Sequence, residues 1–225
     1  MKELIARVLN AFCQHQELRG LVVQQGGSKA LIPIANSSTE KGERQAGQAL
    51  ARIGITQDPS IAFPGNRSCD VVRPIAKLLK EENKSIENFE ALMALGNLAN
   101  VNESTRGRML RESDCIMSIE TYMFEDHAML RRAAVQCVLN LCQSKVQVER
   151  FEAPNDKMKY MVLLMADEDE EIVKAAGGAV AMLTSASTKL CQKIYESSQW
   201  EACMLNTLAN KDFEVTYRGA VIVDN

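Results

Sequence analysis

The stretch SIENFEALMALGNLAN, Ser85–Asn100, decides the fold, because weaker versions of it recur along the chain. Its echoes are RVLNAFCQ (Arg7–Gln14), GQALARIG (Gly47–Gly54), VQCVLNLC (Val135–Cys142) and GGAVAMLT (Gly177–Thr184). With Asn97 as reference, the equivalent positions are Asn10, Arg52, Asn97, Asn140 and Met182, at steps of 42, 45, 43 and 42 residues. Inside the quoted stretch Ala91, Leu92, Leu95, Leu98 and Ala99 fall at i, i+3, i+4, i+7 spacing, one apolar stripe of a helix. A period in the forties with purely helical patterning predicts a solenoid, in which each helical unit buries its apolar face only against its neighbours.

The expectation is an all-α, armadillo-repeat right-handed helical solenoid of about five repeats, with residues 1–225 as a single array truncated at both ends. Each repeat reads as a short helix, a second helix and a longer third helix that carries the anchor position. In the clearest repeat Asn102 can cap Glu103–Arg111, followed by Cys115–Phe124 and Met129–Gln143. In the next, Val146–Phe151, Lys157–Met165 and Glu170–Thr184 repeat the pattern, with Asn155 or Asp156 as the cap of the middle helix. Pro33 and Pro74 precede equivalent long helices and should set the start or angle of second helices. Gly26-Gly27 fits a helix break. Ile55–Asn66, ITQDPSIAFPGN, carries two prolines and no helical period, and reads as a loop standing in for a first helix. An exposed Phe63, with Pro64 and Asn66, makes it a candidate binding loop.

Composition narrows the function classes. A net charge of -3 and a pI near 5.6 leave no basic stripe for nucleic acid. Seven cysteines occur without CxxC spacing, five of them inside apolar helical runs, which points to free thiols in a reducing, cytoplasmic setting. The N-terminal MKELIARVLNAFCQ is interrupted by Glu3 and Arg7 and reads as an amphipathic helix, not a signal peptide. The longest apolar runs are too short to span a bilayer. Catalysis finds no foothold: the only two histidines, His15 and His127, have no nucleophile or ligand at useful spacing, and no phosphate loop, metal motif or nucleophile elbow occurs. Neither enzymatic activity nor a metal or cofactor is expected. The acidic Asp167–Glu171 reads as a solvated helix start, with an acidic docking patch as the lesser alternative. Met158, Met161 and Met165 read as core, Gly177-Gly178 as a close helix contact, and Trp200 as a packing residue.

Several segments together go beyond a generic repeat. GGSKALIPIA (Gly26–Ala35), QALARIGIT (Gln48–Thr56), IAFPGNR (Ile61–Arg67) followed by DVVRPIAKLL (Asp70–Leu79), NFEALMALGNLA (Asn88–Ala99) and ADEDEE (Ala166–Glu171) resemble the UCS-domain myosin chaperones. The resemblance covers residues 4–223. It implies an armadillo array that binds the myosin motor domain and assists its folding and assembly, in the cytoplasm and without a cofactor. Animal members also carry an N-terminal tetratricopeptide module that docks a heat-shock chaperone of the ninety-kilodalton class. No 34-residue pattern of that kind is present in these 225 residues, so that docking function is not expected of them.

The candidate binding face follows from the third helices. Phe89, Met93 and Asn97 are spaced i, i+4, i+8 and share a face apart from the leucine stripe; Arg132, Gln136 and Asn140 take the same register one repeat later. An amide can both donate to and accept from an extended backbone. Phe89 and Met93 would add adaptable apolar contact. The resemblance implies that this concave groove is the myosin-binding surface. The competing role for the Asn positions is to satisfy neighbouring helix ends. If they face a client, Asn97→Lys or Phe89→Ala should weaken binding while leaving melting unchanged. Two rivals are a non-chaperone scaffold and a nuclear-import-type adaptor for basic peptides. The latter resembles this chain in its third-helix Asn but places a Trp four residues earlier, where this chain has Ala6, Gln48, Met93, Gln136 and Gly178.

Overall fold

The computed structural model describes residues 1–225, and every regular element is a helix. The helices group into two compact units, Met1–Glu125 and Asp126–Asn225. The first holds α1 (Lys2–Gln14), α2 (Gln16–Gln24), α3 (Gly27–Asn36), α4 (Glu40–Thr56), α5 (Pro59–Ala62), α6 (Arg67–Asp70), α7 (Val72–Ala76), α8 (Ser85–Ala99), α9 (Glu103–Arg111) and α10 (Ser113–Tyr122). The second holds α11 (Ala128–Leu141), α12 (Lys145–Glu152), α13 (Lys157–Leu164), α14 (Glu170–Ala186), α15 (Thr188–Ile194), α16 (Trp200–Leu208) and α17 (Phe213–Asp224).

In the first unit the long helices α1, α4 and α8 pack side by side, and shorter helices cover them from behind. The second unit repeats the plan with α11, α14 and α17. These are the third helices of the repeat. The leucine stripe of α8 is the heart of the first unit: Leu92, Leu95 and Leu98 are fully buried, with Leu50 and Ile53 of α4, Ile75 of α7 and Met109 of α9. Burying each such side chain contributes about 1.5–3 kcal/mol, which short helices cannot obtain alone. In the second unit Met158 and Met161 of α13 and Met165 after it are buried, as the sequence suggests.

Helix starts follow local chemistry. Asn102 Oδ1 accepts from the Thr105 N–H at 2.9 Å, as expected. Asn155 Oδ1 accepts from the Lys157 N–H at 3.1 Å, so Asn155 supplies the bond although Asp156 holds the cap position. Asp169 and Asp212 cap α14 and α17 through the N–H groups of Glu171 and Glu214 at 3.1 and 2.8 Å. Gly26 begins α3 at φ +80°, a left-handed conformation that a side chain would strain.

Three expectations change. Ile55–Asn66 is not a plain loop: α4 runs through Ile55 to Thr56, and Asp58 then caps a short helix whose first residue is Pro59. Phe63 is fully buried, with its ring against Gly54 of α4, so it is core; Pro64 and Asn66 remain exposed. The apolar side chain that this segment does expose is Ile61, at 70 %. Pro33 sits inside α3, past its middle, and not at a helix start.

Gly47 marks the tightest approach of α4 to α7, because a Cβ there would lie 2.9 Å from the Pro74 carbonyl oxygen. Alanine gains about 1 kcal/mol of helix propensity over glycine. Overpacking against backbone costs about 1–3 kcal/mol. Gly47→Ala is therefore expected to lower the urea midpoint with an unchanged slope; a midpoint equal to or above that of the parent would show that α4 and α7 part freely.

Candidate functional site

Aligning the third helices on their anchor positions shows an order that is the same in both units. The anchors are Asn10, Arg52 and Asn97 in the first unit and Asn140, Met182 and Asn225 in the second. Eight residues before them stand Lys2, Arg44 and Phe89, then Arg132, Lys174 and Tyr217. Four before them stand Ala6, Gln48 and Met93, then Gln136, Gly178 and Val221. The last third helix in each unit thus carries an aromatic, an apolar side chain and an Asn at i, i+4, i+8: Phe89, Met93, Asn97 on α8 and Tyr217, Val221, Asn225 on α17. The second triad escaped the sequence reading, although the step from Met182 to Asn225 is a regular 43 residues.

The anchors tie neighbouring third helices together. Asn10 Nδ2 donates to Gln45 and Gln48 of α4 at 2.9 and 3.0 Å, and its Oδ1 accepts from Arg52 at 2.9 Å. Arg52 Nε donates to both oxygens of Glu90 on α8, each at 3.1 Å. Asn97 Nδ2 donates to the carbonyls of Gly54 and Ile55 at 3.0 and 3.4 Å, satisfying acceptors at the C-terminal end of α4. Asn225 Nδ2 reaches Thr184 Oγ1 and the Ala181 carbonyl of α14 at 2.8 and 3.3 Å. The donors of Asn97 are therefore spent inside the fold, and Asn97→Lys should lower stability as well as any binding. Asn140 accepts from Gln136 at 3.2 Å.

The basic residues eight positions earlier are also engaged. Arg44 meets Glu87 at 2.6 Å, Arg132 meets Asp169 at 2.6 Å, and Lys174 meets Asp212 at 2.8 Å, each pair joining one third helix to the start of the next. The acidic run Asp167–Glu171 is thus more than a solvated helix start: Asp167 and Asp169 bind Arg131 and Arg132 of α11. Phe89 and Met93 are half-buried, whereas Arg132 and Gln136 are exposed. Tyr217 is 60 % exposed and stacks on Phe213 with ring centroids 6.3 Å apart.

In the second unit the face forms an open groove of about 780 Å³, lined by Leu139 and Asn140 of α11, Gly178 and Met182 of α14, and Tyr217 and Val221 of α17. Gly178 packs closely there: a Cβ would come 3.0 Å from Arg218 Nη1 and 3.2 Å from Leu139 Cδ1. Without one, Arg218 crosses α14 to donate to the Lys174 carbonyl while pairing with Glu214. The groove offers shape, apolar surface and amides. Burial pushes the Cys13 thiol up to about 11 and those of Cys115 and Cys142 to about 12, far from the thiolate a nucleophile needs. No cluster of His, Cys, Asp and Glu could hold a metal ion, and no helix is long and apolar enough to cross a membrane.

Side-by-side third helices covered by two shorter ones define an armadillo-type helical repeat. A designed armadillo repeat protein matches 97% of this chain and 90% of its own at a TM-score of 0.71 and 19% identity, a likeness of fold alone. No family model matches. The whole chain is 43% identical over 227 residues to "Protein unc-45 homolog B" of Xenopus tropicalis, covering 24% of that protein. Among solved structures, UNC-45 from Drosophila melanogaster matches 99% of this chain and 28% of its own at 50% identity and a TM-score of 0.95. The myosin chaperone UNC-45 from C. elegans, in complex with an Hsp90 peptide, matches 99% of this chain and 25% of its own at 35% identity and a TM-score of 0.91. The UCS-type resemblance is borne out over the full length, and the chain spans about a quarter of the curated relatives it matches.

The Lys174–Asp212 tie gives a pH test. The hydrogen bond from Lys174, with the Glu214 N–H, holds the Asp212 carboxyl below its ordinary value of 3.8, and Asp212 with Glu171 holds Lys174 above 10.5. A depressed carboxyl stabilises the fold above its ordinary value, and that contribution is lost as pH falls through the lower folded value. A raised amine stabilises below 10.5 and loses its contribution as pH rises through the higher folded value. Asp212→Asn should therefore lower stability at neutral pH and flatten its dependence on pH in strong acid. Superimposable stability–pH curves would show that the tie contributes nothing.

Proposed function

We propose that this chain is a client-binding segment of a myosin-directed chaperone, that it works without catalysis or cofactor, and that it acts in the cytoplasm. The observation that carries the reading is the recurrence of one aromatic–aliphatic–Asn triad on the last third helix of each unit, Phe89, Met93, Asn97 and Tyr217, Val221, Asn225. Polar ties hold the backbone under both triads, while Phe89 and Met93 stay half-buried and Tyr217 stays exposed. A rigid row carrying apolar side chains suits a partner whose own core is incompletely formed. The match of the whole chain to a segment of UNC-45 proteins, one of them described as a myosin chaperone, supports myosin as the client, and the motor domain is the part of it that we propose is bound. In the first unit the proposed contact surface is the face of α8 that carries Phe89, Met93 and Asn97, with Pro64 and Asn66 as a secondary contact; in the second it is the face of α11 that carries Arg132, Gln136 and Asn140, together with the groove on α14 and α17.

Holding follows from mass action: a motor domain bound while partly folded is removed from the pool that aggregates. The test is heating of a myosin motor domain with the chain, followed by light scattering and by pull-down. Suppressed scattering near stoichiometric amounts is expected. Phe89→Ala and Tyr217→Ala should each weaken binding roughly tenfold, the effect of removing one central aromatic contact. Tight binding without suppressed scattering would favour the scaffold reading; unchanged binding by both variants would remove the triads from the interface.

A further inference from the structure

We infer, resting on the reading above, that the second unit's face selects an extended segment carrying a basic residue about five positions from an apolar one. The groove at Leu139, Met182, Tyr217 and Val221 is the apolar end. Where α11 and α14 begin lies a second recess, of about 620 Å³, lined by Ala128, Arg131, Arg132, Glu168, Asp169, Glu170 and Glu171. An acidic helix start alone would be ordinary capping. Here it lies at the start of the same helix, α14, whose Gly178, Met182 and Ser185 line the groove further along.

Charge decides the occupant. The recess is lined by four carboxylates and two guanidiniums. Arg132 is held by Asp169 at 2.6 Å, and Arg131 meets Asp167 at 3.5 Å. Beside the groove Arg218 is spent on the Lys174 carbonyl and Glu214, and Lys174 on Asp212 and Glu171. Glu168 and Glu170 are exposed and pair with no cation. An acidic partner would find every cation of this face engaged, whereas a lysine or arginine finds carboxylates open to it. Spacing then follows from helix rise. The open carboxylate of Glu170 and Met182 are twelve residues apart on α14, about 18 Å at 1.5 Å per residue. An extended chain covers that in about five residues.

The test uses the full chain and short peptides tiled across a myosin motor domain, followed by fluorescence anisotropy on those retained. Retained peptides should carry Lys or Arg about five positions from an aliphatic or aromatic residue. Replacing that base by Glu, raising the salt concentration, or combining Glu168→Gln with Glu170→Gln should each weaken binding roughly fivefold. If the charge changes have no effect while Tyr217→Ala and Met182→Ala abolish binding, the groove binds without selecting a base and this inference fails alone. If neither set has an effect, or no peptide is retained, the groove reading fails with it.

Discussion

The structure depends on the sideways tie between successive third helices. Each is long enough to expose one face and bury another, but none holds its place without the next. The apolar part of the tie is the stripe that includes Leu50, Ile53, Leu92, Leu95 and Leu98. Its polar part is the chain of bonds from Asn10 through Arg52 to Glu90, with the amides of Asn97 and Asn225 closing onto the helix before them. Because these bonds recur at one register, they fix the height of each helix against its neighbour, and with it the row of side chains four and eight positions earlier. That row is the surface we propose for the partner.

A consequence is that positions engaged in the fold and positions left open to solvent alternate along a single helix face. The anchor position satisfies carbonyls, amides and carboxylates of the fold. Toward the helix start, Arg44, Arg132 and Lys174 use a base to grip the start of the next third helix, while Lys2 donates to the Ser37 carbonyl instead. The last third helix in each unit carries an aromatic at that position, Phe89 or Tyr217. In our proposal this aromatic is the side chain that meets the partner.

Much of this was legible in the sequence, because its signals are local or periodic. The forty-odd-residue step, the Asn102 cap and the core methionines follow from capping chemistry and helical spacing, and the helices fall where these place them. What misled was chemistry that only tertiary packing decides. Two prolines made Ile55–Asn66 look like open loop, yet Pro59 starts a helix and Phe63 is core because Gly54 leaves room for its ring. Asn97 looked free to bind a client because its acceptors, the carbonyls of Gly54 and Ile55, lie more than forty residues away in sequence. The α17 triad was readable by period alone, but the polar Asp224-Asn225 ending masked it.

The most direct test of the central claim places a benzophenone photocrosslinker at Met93 or Val221, within the two triads, and at Met117 of α10 or Tyr160 of α13 as exposed controls. Irradiation with a myosin motor domain should give crosslinked product from Met93 and Val221 and little from the controls. Crosslinking from Met117 or Tyr160, with none from either triad position, would contradict the account.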